Sequence, residues 1–202
     1  QVEITMEANP GTVDIDKLTE LREGGVNRLS FGVQSFDKKL LANMGRIHSP
    51  GEAKESVLMA REVGFENISI DLMYGLPEQN LEQWRDTLIQ ALELGIEHIS
   101  VYGLKVEAGT PWGDLELQGK LSLPEEKIAV QMRNLANTML NNAGFKRYEI
   151  SNYAKRNFHS IHNLGYWTSR PYFGLGLGAS SYFWNRRFSN TSDFSHYISL
   201  LE

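Results

Sequence analysis

Four polar residues stand where apolar segments of this chain run out. Glu7, Gln34 and Asp71 close strand-like runs, and Arg46 sits in the loop after the second run. Two carboxylates, an amide and a guanidinium could together grip a zwitterion or a ribose diol. Arginine takes a carboxylate through two parallel hydrogen bonds, while Asp and Glu accept from hydroxyls or an ammonium group. The plainer alternative is that some of the four only close loops or pair with one another. A second group is His159-x-x-His162-Asn163-Leu-Gly-Tyr166-Trp167. Two histidines three apart could ligate a metal if helical, and an aromatic-flanked histidine can serve as an axial haem ligand. A loop histidine packed by Tyr and Trp is the bland counterpart. A third stretch, Gly174-Leu-Gly-Leu-Gly-Ala-Ser-Ser, lacks the Lys-Ser/Thr of a phosphate loop and reads as a tight structural turn. Tyr172, Phe173, Tyr182, Phe183 and Trp184 read as a satellite core rather than a ligand platform.

Composition narrows the chemistry. The chain has no cysteine, so it cannot supply a disulfide, a thiol nucleophile or a thiolate to a metal cluster. Its 202 residues, 41% hydrophobic and 22% charged, suit a globular protein with a sizeable core. A net charge of -5 argues against a nucleic-acid or anionic-membrane surface. No apolar run reaches the roughly 18 residues of a membrane-spanning helix, so an integral membrane protein is not expected and cytoplasm is the default. The first run, Val2 to Met6, starts as a strand without an initiator Met, and the last helical pattern stops at Leu201-Glu202. A fragment of a longer protein is the expectation.

The elements that must position these residues follow one repeated phrase. Gly25-Val-Asn-Arg-Leu-Ser-Phe, Gly64-Phe-Glu-Asn-Ile-Ser-Ile and Gly95-Ile-Glu-His-Ile-Ser-Val each read as a helix-capping glycine, a short loop and a buried strand. Gly144-Phe-Lys-Arg-Tyr-Glu-Ile is a fainter echo, opening a strand from Phe145 to Tyr153. The strand at Gly64 to Pro77 is expected to be apolar along its length, with Asp71 and Tyr74 at its tip. Helices between the strands, from Asp14, Asp37, Ser49 and Leu81, make βα units and hence parallel strands. A doubly wound open sheet and a partial (β/α) barrel both satisfy this pattern. Polar strand ends and the lack of Gly-x-Gly-x-x-Gly after the first strand favour the barrel. Past Tyr102 the texture changes. Lys105 to Pro111 and Gly113 to Leu123 read as loops, a helix opens at Pro124, and a strand is expected at Arg187 to Thr191. A soft boundary is placed near residue 104, with 1–103 as partial barrel and 104–202 as an accessory region.

Glu7-Ala-Asn-Pro-Gly-Thr, Arg28-Leu-Ser-Phe-Gly-Val-Gln34-Ser-Phe and Ile70-Asp71-Leu-Met-Tyr-Gly-Leu-Pro77 resemble the coproporphyrinogen III oxidase-like branch of the radical SAM superfamily. The resemblance runs in order over essentially the whole chain. It implies an α/β fold, a partial (β/α)6 TIM-like barrel of which strands 3 to 6 are present, plus an α+β C-terminal accessory region. It also implies S-adenosylmethionine (SAM) at Glu7, Gln34, Arg46 and Asp71. The family's Cys-x-x-x-Cys-x-x-Cys loop, which holds a 4Fe–4S cluster, is absent, so the chain as given is expected to be chemically silent. His162-Asn163-Leu-Gly-Tyr166-Trp167 is similar to the His-Asn-x-x-Tyr-Trp signature of HemW-type heme chaperones. That likeness implies haem or a porphyrin as a partner, with His162 as an iron ligand, Tyr166 and Trp167 beside it, and haem-acceptor proteins as recipients. The alternative within the branch is an oxygen-independent coproporphyrinogen III dehydrogenase of porphyrin biosynthesis. Outside it, an unrelated barrel could hold another small polar ligand on the same strand ends.

Overall fold

A computed structural model describes residues 2–201. Contacts divide the chain into two compact units, the first ending at His159 and the second beginning at Ser160. The first unit runs β1 (Thr5–Ala8), α1 (Ile15–Glu23), β2 (Arg28–Gln34), α2 (Lys38–Asn43), α3 (Pro50–Glu62), β3 (Ile68–Tyr74), α4 (Leu81–Glu93) and β4 (His98–Gly103). It continues through α5 (Pro111–Leu117), α6 (Glu126–Asn142), β5 (Lys146–Arg147) and β6 (Asn152–Ala154). The second holds α7 (Ile161–Trp167), β7 (Ser180–Phe183), β8 (Arg186–Ser189) and α8 (Phe194–Ser199).

The main sheet has the order β1-β2-β3-β4-β6-β5, and β1 to β4 are all parallel. The expected βα units are therefore present. Two of their helices begin with reciprocal caps: Ser49 with Glu52 on α3, and Asn80 with Gln83 on α4. The repeated glycine junction is locked by Arg61. Its guanidinium reaches both Glu97 carboxylate oxygens at 2.6 Å and the Gly95 and Phe65 carbonyls. Glu97 in turn accepts from the Ile68 amide at 3.1 Å, so one ion pair joins α3 to the starts of β3 and β4.

The strands are not apolar throughout, which corrects the reading of Gly64 to Pro77. Leu29, Phe31 and Val33 of β2, Ile68, Ile70 and Leu72 of β3, and Ile99 and Val101 of β4 are buried in one core with Leu18, Val57, Trp84, Leu88 and Met132 of the helices. Their alternates are polar: Arg28 and Ser30, Ser69 and Asp71, His98 and Ser100. Side chains on a strand point to opposite faces with a period of two, so the helix-facing side is oily and the other side is polar. Asp71 is accordingly a mid-strand residue, not a tip. Burying each large aliphatic side chain contributes about 1.5–3 kcal/mol. Trp84 adds a directed bond, its indole N–H donating to the Met132 carbonyl at 2.8 Å and fastening α4 to α6.

From residue 104 to His159 the chain still belongs to the first unit. The segment from Phe145 to Tyr153 is two short strands rather than one. β6 runs antiparallel to both β4 and β5, so the fourth glycine junction does not open another parallel strand. The Pro111 segment, expected as loop, forms α5. Thr110 caps it, accepting from Gly113 N at 3.1 Å, and Pro111 takes the first turn, where its missing N–H costs nothing. Gly113 is required there because a side chain would collide with the Glu107 carbonyl oxygen.

The polar face also buries a histidine. His98 is inaccessible to solvent, with Nδ1 2.7 Å from Ser69 Oγ and Nε2 2.8 Å from the Tyr148 hydroxyl. Burial, with Arg28 and His159 nearby, pushes its pKa down to about 3. The unfolded imidazole binds a proton near pH 6.5 and the folded one does not, so protons favour unfolding. Stability should be complete above pH 6.5 and fall by up to about 1.4 kcal/mol per pH unit below it, towards pH 3. Urea unfolding should show a clear loss between pH 7 and pH 5 in the parent. His98→Gln should be less stable at pH 7 but nearly flat over that interval; parallel curves for the two proteins would contradict this account.

Candidate ligand-binding site

The four residues picked from sequence line one cleft of about 580 Å³: Glu7, Gln34, Arg46 and Asp71, joined by Asn9 and Ser30. Strand register explains the convergence. Glu7 is level with Ser30 and Ser30 with Ser69, while Asp71 is one pleat further along beside Ser100. Side chains level across a parallel sheet point to the same face, so residues distant in sequence share one wall.

Gln34 is placed by strain. Its backbone lies in the left-handed region at φ 66°, at the point where the β2–β3 register shifts between Phe31 and Gln34. A non-glycine residue there costs on the order of 1–3 kcal/mol. Gln34 is only 8% exposed, and its Oε1 has no hydrogen-bond partner among the described residues. An unpaired buried amide oxygen costs about 1–3 kcal/mol unless a donor arrives from outside. Gly32 makes the room: a Cβ there would lie 3.3 Å from Gln34 Nε2, 3.4 Å from Asn9 Oδ1 and 3.7 Å from Arg46 Nη1.

Arg46 comes from a loop and is nonetheless held. Its backbone N–H donates to the Leu41 carbonyl past Gly45, which has φ 70°. Two residues on, His48 is buried, with Nε2 3.2 Å from the Val33 carbonyl, tying the loop to β2. Arg46 Nη1 then donates to Asn9 Oδ1 at 2.8 Å. Asn9 is itself set by the Asn9-Pro-Gly-Thr turn, whose Thr12 hydroxyl and amide both donate to the Asn9 carbonyl.

Two carboxylates and the Arg46 guanidinium line the cleft, and a buried cation, Arg28, lies close to both carboxylates. Burial raises the pKa of Asp71, and the charge of Glu7 adds to that rise. Hydrogen bonds from Ser100 and Ser30 and the charge of Arg28 oppose it. Arg28, 4% exposed, is itself made less basic by burial, offset by Glu3, Tyr148, Asp71 and Glu7. Asn9, Arg28, Ser30, Gly32 and Ser100 were not singled out from the sequence. Their signal was the polar alternation Arg28-x-Ser30-x-Gly32 and Ser69-x-Asp71 inside strands that parallel sheets usually make apolar. A second, mainly apolar cleft of about 460 Å³ shares Arg46 and is walled by Met44, Met73, Leu104, Lys105 and Trp112.

His162, Tyr166 and Trp167 lie in the second unit on α7, so the pair of histidines weighed as helical or as loop falls with His162 on a helix. Ser160 caps it, its Oγ accepting from Asn163 N at 3.3 Å. His162 and Tyr166, one turn apart, share a wall of a separate cavity of about 170 Å³. Trp167 is 56% exposed. Among the described residues no three His, Cys, Asp or Glu side chains cluster as a metal site. The Gly174 loop packs tightly on its own hairpin: Asn190 donates to the Gly174 and Gly176 carbonyls.

Residues 1–91 match the radical SAM superfamily. The chain carries a radical SAM domain. It is 44% identical over 199 residues to the heme chaperone HemW of Bacillus subtilis, covering 98% of this chain and 52% of that protein. It is 42% identical to HemW of Escherichia coli, covering 88% of this chain and 46% of that one. Among solved structures it resembles coproporphyrinogen III oxidase (HemN) from Escherichia coli, a radical SAM enzyme, with a TM-score of 0.83. That match has 24% identity and covers 99% of this chain and 49% of the other, so it speaks to fold. It bears out the α/β barrel-type fold; the sheet of this chain is open. The chain spans about half the length of the curated relatives it matches.

The cleft fits the SAM that this superfamily implies. SAM carries an ammonium and a sulfonium, which suit the two carboxylates, and a carboxylate, which suits Arg46. The orphaned Gln34 oxygen needs a donor, and SAM has one. A 4Fe–4S cluster, also implied by the family, has no ligand in this cysteine-free chain. Gly32→Ala should therefore cost little stability, under about 1 kcal/mol, while weakening SAM binding about tenfold or more by pushing Gln34 and Asn9 apart. Thermal melting and isothermal titration on one preparation separate the two effects; unchanged affinity would show that the Gly32 cradle is not used.

Proposed function

We propose that this chain is part of a HemW-type heme chaperone of the cytoplasm, binding SAM in the barrel cleft and haem on α7, and passing haem to acceptor proteins. The observation that carries the reading is the meeting of Glu7, Gln34, Arg46 and Asp71 around one cleft in a chain 44% identical to a heme chaperone. Asp71 and Glu7 would hold the cationic or hydroxyl-bearing parts of SAM, Arg46 its carboxylate, and Gln34 Oε1 a donor. Met73 and Leu104 in the adjoining cleft offer apolar surface for the purine. When bound, and with the cluster that this chain cannot itself ligate, SAM supplies a 5'-deoxyadenosyl radical in this superfamily. The residues here bind and orient; none is assigned a chemical step. Haem is cargo, with His162, Tyr166 and Trp167 as its contacts.

The raised pKa of Asp71 gives the SAM half of this reading a sign. The ionised carboxylate is the form that attracts a cation, so affinity should fall as pH drops, beginning above the ordinary Asp value of 3.8. Asp71→Asn should bind SAM at least about tenfold more weakly at pH 7.5 and lose the acid-side fall; a single charge contact of about 1.4 kcal/mol suffices. Equilibrium dialysis across pH 5 to 8 reads both. An anaerobic assay of the cluster-containing protein tests the carrier role, where sustained conversion of coproporphyrinogen III to protoporphyrinogen IX would sink it in favour of the dehydrogenase.

A further inference from the structure

Gln34 and Arg46 reach the cleft from different segments, and one buried side chain joins the two. The Ser35 N–H donates to the Val33 carbonyl at 2.8 Å, closing a three-residue turn around Gln34 at φ 66°. Turns of this positive-φ kind are rare and strained, so the surrounding structure has to hold them. Past Gln34 the chain is fixed by Ser35, which is inaccessible to solvent. Its Oγ accepts from the Asp37 N–H at 3.0 Å and lies 3.4 Å from Thr87 Oγ1 on α4. Before Gln34, the same Val33 carbonyl meets His48 Nε2 at 3.2 Å in a buried bond. A carbonyl only accepts, so Nε2 carries the proton. The Ser35 amide already satisfies that carbonyl, and the histidine bond is not needed to pair a buried acceptor. What it adds is a link to the loop of Arg46.

That link is stiff. Ser49, next in the chain, begins α3 with a reciprocal cap to Glu52, which fixes the backbone beside His48. His48 is 4% exposed, and it also backs the turn that carries Asn9: a Cβ on Gly11 would lie 3.8 Å from the His48 Cβ. The bond from Arg46 to Asn9 is exposed by contrast, so water competes for both partners. His48 itself lines neither cleft. We propose that His48 is a positioning residue for the ligand: its bond to the Val33 carbonyl holds the Gln34 turn and the Arg46 loop in one arrangement, so that both side chains meet the same molecule. This deepens the SAM half of the proposed function and rests on it. Arg46 is there for the carboxylate of SAM and Gln34 Oε1 for a donor. His48 touches neither part of the ligand and acts through the backbone of both segments.

The test titrates SAM and 5'-methylthioadenosine, which keeps the nucleoside but lacks the carboxylate and ammonium, into the parent and into His48→Leu, His48→Gln and His48→Asn. Isothermal titration gives the affinities, and thermal melting of the same samples gives stability. His48→Leu, of similar bulk but without a donor, should bind SAM about tenfold more weakly, or about 1.4 kcal/mol. Its loss for 5'-methylthioadenosine should be smaller, about threefold or less, because that ligand has no carboxylate for Arg46. His48→Gln sets an amide N–H close to the place of Nε2 and should restore most of the SAM affinity. His48→Asn, whose amide is one carbon shorter, should behave as His48→Leu and replaces it should leucine unfold the chain. Unchanged SAM affinity in the leucine and asparagine variants would overturn the proposal. So would equal losses for both ligands, which mean general loosening, or no recovery in His48→Gln, which means ring packing alone. Absence of SAM binding by the parent would instead reject the SAM reading of the cleft, and this inference with it.

Discussion

The first unit depends on the two-residue period of its parallel strands. Every second side chain of β2, β3 and β4 is a large apolar group pressed against α1, α3, α4 and α6. That burial, worth about 1.5–3 kcal/mol per large side chain, fixes register, because a slip of one residue would turn Arg28, Ser30, Asp71 and His98 into the oily layer. The polar face is thus held in place by what is packed on the other one. The ligand cleft inherits its precision from the core packed on the opposite face of the sheet.

The polar face has its own cost. Arg28 and His98 are buried; the carboxylates of Glu3, Asp71 and Glu7 partly offset the lost solvation of Arg28, while Arg28 and His159 add to the disfavouring of a charged His98. His98 settles the problem by staying neutral between Ser69 and Tyr148. Arg28 cannot, so it remains a buried cation under Glu7 and Asp71. Among the described residues, Gln34 combines a left-handed backbone with an orphaned side-chain oxygen, and it lines this cleft. Such an arrangement is what a preorganised binding site requires, since groups already desolvated and oriented cost less to engage.

The second unit is organised by aromatic contacts instead. A chain of rings runs from His162 through Tyr166 and Tyr172 to Tyr182, with centroids 4.6 to 6.2 Å apart. Backbone bonds between Tyr172 and Tyr182 fix the middle of that chain. The satellite core expected from sequence is therefore partly a surface: Trp184 and Phe173 are well exposed.

Much was written locally. Capping residues at Asp14, Asp37, Ser49 and Asn80, the glycine junctions, and the apolar residues between them determine the βα units, because these signals act within a few residues and need no partner. Glu7, Gln34 and Asp71 could be picked out because they interrupt or end apolar runs, and Arg46 as the cation of the loop after the second run. What the sequence could not settle is long-range. The antiparallel return of β6 depends on pairing with β4, some fifty residues away, and its own residues resemble the parallel strands. Helix α5 depends on Gly113 fitting under the Glu107 carbonyl, and α7 on a weak cap at Ser160. Above all, which alternate residues face the ligand is decided by sheet register and by the shift at Gln34. Only the packed structure decides those, because they come from the sum of many small burial energies rather than from any one residue's preference.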